Sequence, residues 1–270
     1  MMRRRLAGIS VTAVLAAGAA FAASGVAASG STQPTATFSY SGDNGPGFWG
    51  QLNPAWEACA GGKGRQSPID ITNVQIDPSL RALNLALKPT PLALINNGHT
   101  IEQEYEPGST LTLGTATYHL QQFHFHALSE HMIGDWRGVM ELHAVFKDDA
   151  ANRIAVVAML YKIGRPNRFL DELISAGLPQ KEGQTVHAPV EVNLADGLTD
   201  ASAYYTYAGS LTTPPCAENV TWFVLKRPAE LSEPQFQAFD KILGDDFRPL
   251  QARNGRTVWA TAKGGKGLAH

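Results

Sequence analysis

His124-Phe125-His126 sets two imidazoles two residues apart, and His143 follows in Glu141-Leu142-His143. Successive side chains of a β-strand alternate faces, so His124 and His126 share a face about 6.6 Å apart along the strand. A neighbouring antiparallel strand carrying His143 brings a third ring to the same point. Three neutral imidazoles with no fourth protein ligand describe a catalytic zinc site, whose open position holds a water. Because imidazole adds no charge, the ion acidifies that water to a pKa of about 7. Gln122 shares a face with His124, and Glu141 shares one with His143. An amide and a carboxylate therefore stand where they can fix each ring's tautomer.

The elements that must position these residues are strands. Residues 118–126 alternate, with Tyr118, Leu120, Gln122, His124 and His126 on one face and Phe123 and Phe125 on the other. Residues 139–146 repeat the pattern: Val139, Glu141, His143 and Val145 against Met140, Leu142, Ala144 and Phe146. Segments 99–105 and 110–113 read as further strands, and 154–161 and 220–226 as buried ones. Asn167 caps a short helix ending at Gly177. Ser232 and Gln235 form a capping box for a second helix, whose buried stripe is Phe236, Phe239, Ile242 and Leu243. Residues 38–68 read as an irregular wrap. The pattern predicts one mainly β (α+β) domain over 38–263 with a few short helices, followed by a tail from 264 to 270.

Other histidines take plainer readings. His119 lies on the opposite strand face, His187 carries no partner motif and His270 is terminal; His131, after Glu130, fits a buried structural hydrogen-bonder. Gly45-Pro46-Gly47-Phe48-Trp49-Gly50 spells a dinucleotide fingerprint, but no strand precedes it and Pro54 shortens any following helix. Neither the H-E-x-x-H of zinc peptidases nor the G-x-S-x-G of serine esterases occurs.

The chain has 270 residues. Arg3, Arg4 and Arg5, an uncharged run to Ala20 and the small residues of Ala20-Phe21-Ala22 read as an export signal over 1–22, with cleavage after Ala22 or slightly later. Residues 23–37 follow as a flexible Ala/Ser/Gly/Thr leader. Of 22 basic residues, removal of those three arginines leaves 19 against 24 acidic, a net charge of −5. This mild acidity, without a basic cluster, speaks against nucleic acid as a partner. After signal removal no stretch is long and apolar enough to span a bilayer. Cys59 and Cys216 are the chain's two cysteines. An oxidising compartment makes a disulfide the expected state, two free thiols being the alternative. Asn219-Val220-Thr221 is a sequon placed awkwardly at a strand start.

Several of these segments together resemble the alpha-class carbonic anhydrases of exported, bacterial type. They are Gln66-Ser67-Pro68-Ile69-Asp70, Asn96-Asn97-Gly98-His99, Gln122-Phe123-His124-Phe125-His126, Ser129-Glu130-His131, Glu141-Leu142-His143 and Gly209-Ser210-Leu211-Thr212-Thr213-Pro214-Pro215. The resemblance runs in the family's order from about Phe38 to Trp259. It implies a large twisted, mostly antiparallel sheet with one zinc ion on His124, His126 and His143. The implied activity is reversible hydration of CO2 to bicarbonate by zinc-bound hydroxide, with activated esters as side substrates. Glu130 and Thr212 match a pair that orients the nucleophile, and His99 matches the proton shuttle. Tyr40, Asn97 and Thr213 match groups that order water, Val145, Val156, Leu211 and Trp222 the apolar wall for CO2, and Asn254 a further group behind the ligands. Thr213 also lies among the residues expected to meet substrate. Cys59 and Cys216 match the disulfide of secreted members, so the implied compartment is periplasmic or extracellular, and a homodimer is compatible with this reading. Ala127-Leu128 departs from the Trp-Gly expected after the second ligand, which alters the cavity rim.

Overall fold

In a computed structural model, residues 37–264 are described. The expected signal, most of the leader and residues 265–270 of the tail lie outside them. Ala116–His126 and Met140–Asp148 form adjacent antiparallel strands near the middle of a 13-stranded sheet. In their register His143 faces His124 and Glu141 faces His126. Cross-strand partners share a face, so residues 122–126 and 141–145 become a two-faced layer, but a register shift between Val145 and Phe146 turns Tyr118 and Leu120, expected beside the histidines, into the main core. Phe123, Phe125, Leu142, Ala144 and Phe146 enter the main core, while the polar constellation occupies the other side. Burying each of these aromatic rings stabilises the fold by about 2–3 kcal/mol.

The rest of the sheet extends outward from this pair. On one flank lie Ile101–Glu104, Thr90–Asn96 and the edge strand Thr185–Val192. On the other lie Arg153–Ile163, Val220–Leu225, Tyr204–Gly209, Trp259–Ala260 and Gln75–Ile76. Antiparallel pairings predominate, but Arg153–Ile163 runs parallel to both Val220–Leu225 and Ala229–Leu231. Arg153–Ile163 is covered on both faces: Ala155, Val157 and Met159 join the main core, and Val156, Ala158 and Leu160 join a second cluster on the polar side. Double coverage explains its unbroken apolar sequence.

Two helices back the main core. Asn167 Oδ1 accepts from Leu170 N at 3.3 Å to open Arg168–Ala176, which closes at Gly177. Its Phe169 packs 5.6 Å from Phe123. Glu233–Leu243 carries the expected capping box, with Gln235 Oε1 accepting from Ser232 N at 2.9 Å. Its Phe239 ring lies 4.8 Å from Phe125. Both helices therefore press on the residues that alternate with the imidazoles, fixing the histidine strand from behind.

The wrap is more ordered than the sequence reading. It contains the short helix Trp49–Leu52 and the 3-10 helix Pro54–Ala60. Pro54 does stop the first, as expected, but it also opens the second, where proline's fixed φ suits the first position and Asn53 Oδ1 accepts from Ala55 N at 2.9 Å. Trp49 is fully buried, its Nε1 donating to the carbonyls of Ser39 and Asn44. Cys59 and Cys216 are joined in a disulfide. No helix among the described residues is long and apolar enough to cross a membrane.

Candidate metal centre

The three expected rings converge. His124 and His126 lie 5.0 Å apart, His124 and His143 5.2 Å, and His126 and His143 4.8 Å, measured between ring centroids. On each ring one nitrogen is taken by an acceptor. His124 Nδ1 donates to Gln122 Oε1 at 2.8 Å, His126 Nδ1 to the Asp246 carbonyl at 2.8 Å, and His143 Nε2 to Glu141 Oε1 at 2.9 Å. Since each acceptor requires an N–H, the lone pairs are left on His124 Nε2, His126 Nε2 and His143 Nδ1. The three residues offer ligand atoms within 4.8 Å of one another. His126 Nε2 is buried without a hydrogen-bond partner among the described residues. An orphaned lone pair inside a protein is costly, and a cation is the partner such a donor set fits.

Electrostatics favour the neutral rings that a metal needs at two positions. Burial pushes His124 well below the ordinary histidine range, and the neighbouring imidazoles add to the effect. His143 is also lowered by burial, against the pull of Glu141. At His126 burial acts downward, but the Glu130 and Asp246 carboxylates outweigh it and the net direction is up.

A second group, His131 with Glu141 and His143, also gathers ligand atoms. These are already engaged with one another: Glu141 Oε1 accepts from His131 Nδ1 at 2.7 Å as well as from His143, and Oε2 accepts from His131 N at 2.8 Å. His131 Nε2 lies 2.7 Å from the Tyr207 hydroxyl, itself 3.0 Å from Ser67 Oγ. This is a hydrogen-bonded chain that holds Glu141, and His131 is the buried structural residue that the sequence suggested.

Glu130 is fully buried beside the rings. Its Oε1 accepts from Arg248 N at 2.8 Å, while Oε2 lies 3.7 Å from His126 Nε2 and has no hydrogen-bond partner among the described residues. Thr212 is buried, but the expected pairing is not formed: Glu130 Oε2 accepts no hydrogen bond from its hydroxyl. The loop bearing Thr212 and Thr213 is anchored at both ends: Ser210 N donates to Ser67 Oγ at 3.1 Å, and Cys216 N donates to Thr213 O at 2.9 Å. Val145, Val156, Leu211 and Trp222 belong to one apolar cluster, with the Trp222 ring 4.9 Å from His143.

At the rim, Asn97 Oδ1 accepts from both His99 N and Thr100 N at 3.0 Å, which shapes the turn carrying His99. The His99 ring stacks on Phe38 at 3.8 Å, and Tyr40 lies 6.5 Å away. Burial raises the Tyr40 phenol well above its usual value, with Glu130 and Asp246 adding to it. The exposed His119 and His187 stand apart from the site.

One expected residue is misplaced. Asn254 does not stand behind the ligands: its Nδ2 donates to Gly62 O at 2.6 Å and Gly64 O at 2.7 Å, tying two surface loops together. The position behind His126 belongs to Asp246, whose carbonyl receives the ring and whose Oδ1 accepts from Ala127 N at 2.7 Å. Burial pushes the Asp246 carboxyl up to about 8. Arg248, which no motif marks, donates to Gln66 Oε1, Ser67 O and Cys59 O from a buried position. Its signal was an arginine within the Asp246-Phe247-Arg248-Pro249 stretch after a helix, too slight to single out.

Sheet and site together define a class, β proteins built round a largely buried cluster of three imidazoles. Residues 44–262 match the eukaryotic-type carbonic anhydrase family. A carbonic anhydrase of Pectobacterium carotovorum is 38% identical over 237 residues, covering 85% of this chain and 93% of the relative. The alpha-carbonic anhydrase of Photobacterium profundum superposes with a TM-score of 0.76 at 38% identity, over 83% of this chain and 100% of that one. That of Thermovibrio ammonificans, solved with the inhibitor sulfanilamide, gives 0.79 at 36% identity over 83% and 99%. The chain belongs to the alpha carbonic anhydrase family, and its activity is that of a lyase on CO2 and bicarbonate.

Proposed function

We propose that the chain catalyses reversible hydration of CO2 to bicarbonate and a proton with one zinc ion held by His124, His126 and His143. The observation that carries this is the set of three converging lone pairs, each with its tautomer fixed by an acceptor behind it. Zinc bound there supplies a Lewis acid that brings a water's pKa to about 7. The neutral rings hold the ion without cancelling its charge. Gln122, Glu141 and the Asp246 carbonyl keep the rings from rotating or changing tautomer.

Val145, Val156, Leu211 and Trp222 offer CO2 a dry wall on which no hydrogen bond competes. In the working site the Thr212 hydroxyl donates to Glu130, whose second oxygen has no other partner among the described residues, so the threonine oxygen accepts from the nucleophile and aims it at carbon. Tyr40, Asn97 and Thr213 order the waters between the centre and the rim. His99 takes the proton and passes it to buffer. Partial burial holds its pKa below the ordinary histidine value, so it is mainly neutral and ready to accept at pH 7.

The same nucleophile supports hydrolysis of activated esters as a side reaction. Export to a periplasm or the exterior is the compartment we propose, on the charge pattern of residues 1–22 and the disulfide.

Stopped-flow hydration with and without a chelator, combined with metal analysis, tests the zinc assignment. His99→Ala should slow turnover in weak buffer on the order of tenfold to a hundredfold, with recovery on adding imidazole. A rate that stays at the wild-type value in weak buffer would remove His99 from the mechanism.

A further inference from the structure

The turn that presents His99 is clamped from outside by residues 179–184. Asn96 N donates to Gln184 O at 3.0 Å, Gly183 N donates to Asn96 O at 2.8 Å, and Asn96 Nδ2 donates to Pro179 O at 3.3 Å. Gly98 sits at φ +86, and a Cβ built on it would lie 2.9 Å from both Cδ and Oε1 of Glu182. The Glu182 carboxylate is therefore laid directly over Gly98, adjacent in sequence to the shuttle. No hydrogen bond or ion pair neutralises it among the described residues, although it is exposed and free to find one.

The other groups round His99 leave this charge distinctive. Phe38 covers one ring face, and Tyr40 meets it at an angle of 71°. A small cavity of about 60 Å³ beside it is lined by Tyr40, Asn96, Thr100, Ile242, Leu243 and Asp246. On its own turn, Asn97 Nδ2 contacts Glu102 Oε2 at 3.5 Å. Burial lowers the His99 ring's pKa, and the charge of Glu182 opposes that effect.

We propose that Glu182 is a positioning residue for proton transfer: its carboxylate, laid over Gly98 on the turn that presents His99, places negative charge on the solvent side of the shuttle. Burial works against proton uptake by the ring. A carboxylate at the solvent side restores basicity without blocking release to buffer. The inference rests on the shuttle reading of His99.

The test uses the zinc-loaded protein and a charge series, Glu182→Gln and Glu182→Lys. NMR titration of the His99 ring, assigned by difference from His99→Ala, should show its midpoint falling by about half a unit on loss of the charge and by about one unit on its reversal. Added salt should shrink both shifts, since the carboxylate is exposed. Below its pKa the ring is protonated and accepts no proton, so turnover in weak buffer is lost as pH falls through that value. A lowered pKa therefore moves the acid limb of kcat to lower pH by the same amount, with kcat/KM for CO2 unmoved. Identical His99 titrations in wild type and both variants, with His99→Ala still slow and rescued by imidazole, would overturn the role of Glu182 and leave the shuttle standing. If His99→Ala is as fast as wild type, the shuttle reading fails and this inference falls with it.

Discussion

Replacing His143 with alanine is expected to abolish zinc retention and CO2 hydration together. The ring supplies the one lone pair that comes from the second strand, opposite His124 in register. Its loss leaves two donors on a single strand and opens the vacated side of the pocket to water. Glu141, whose Oε1 is shared between His143 and His131, would lose one of its two charge-relevant partners while fully buried. Because the bound ion lowers the pKa of water from 15.7 to about 7, hydration at neutral pH should fall by on the order of 10⁴ or more. Metal analysis and stopped-flow kinetics on the same sample decide the matter. Stoichiometric zinc with an undiminished rate would show that the three rings are not the ligand set.

The second large effect concerns the disulfide. Cys59 and Cys216 close a loop with a sequence separation of 157. The chain-entropy argument gives about 5 kcal/mol for a loop of that length. Converting both residues to serine, which avoids a stray thiol, should lower the melting temperature by roughly 10–20 °C. The effect should reach the chemistry too, since Cys216 is held to Thr213 and Cys59 O accepts from Arg248 Nη2 at 2.9 Å, whose backbone N–H holds Glu130. A double variant that melts within a few degrees of the parent would mean that packing of the wrap, centred on buried Trp49, suffices without the bond.

The strands carrying the site were legible because period two is a direct consequence of backbone geometry, and both faces had work to do: phenylalanines inward, imidazoles outward. The caps at Asn167 and Ser232 were legible for a similar reason, since local hydrogen bonding dictates residue type. Strand Thr90–Asn96 and the edge strand Thr185–Val192 lie outside the expected strands. The latter contains Pro189 and a register irregularity between His187 and Glu191, which erase alternation. Asp246 could not be read because it serves His126 through a backbone carbonyl, which every residue type possesses. The resemblance assigns Asn254 to a group behind the ligands, but in the irregular segment after Glu233–Leu243 it is Asp246 that turns inward. The left-handed backbone of Asn254, φ +51, marks it instead as a turn residue.

The histidine strand lies amid the sheet with neighbours hydrogen-bonded on both sides and two helices at its back. Its ligands thus ride on backbone that opens only when the whole molecule does. A vacant pocket and a filled one should share nearly the same framework, so metal capture resembles docking into a mould rather than a folding event. Reorganisation of the framework then contributes little when the ion enters or leaves.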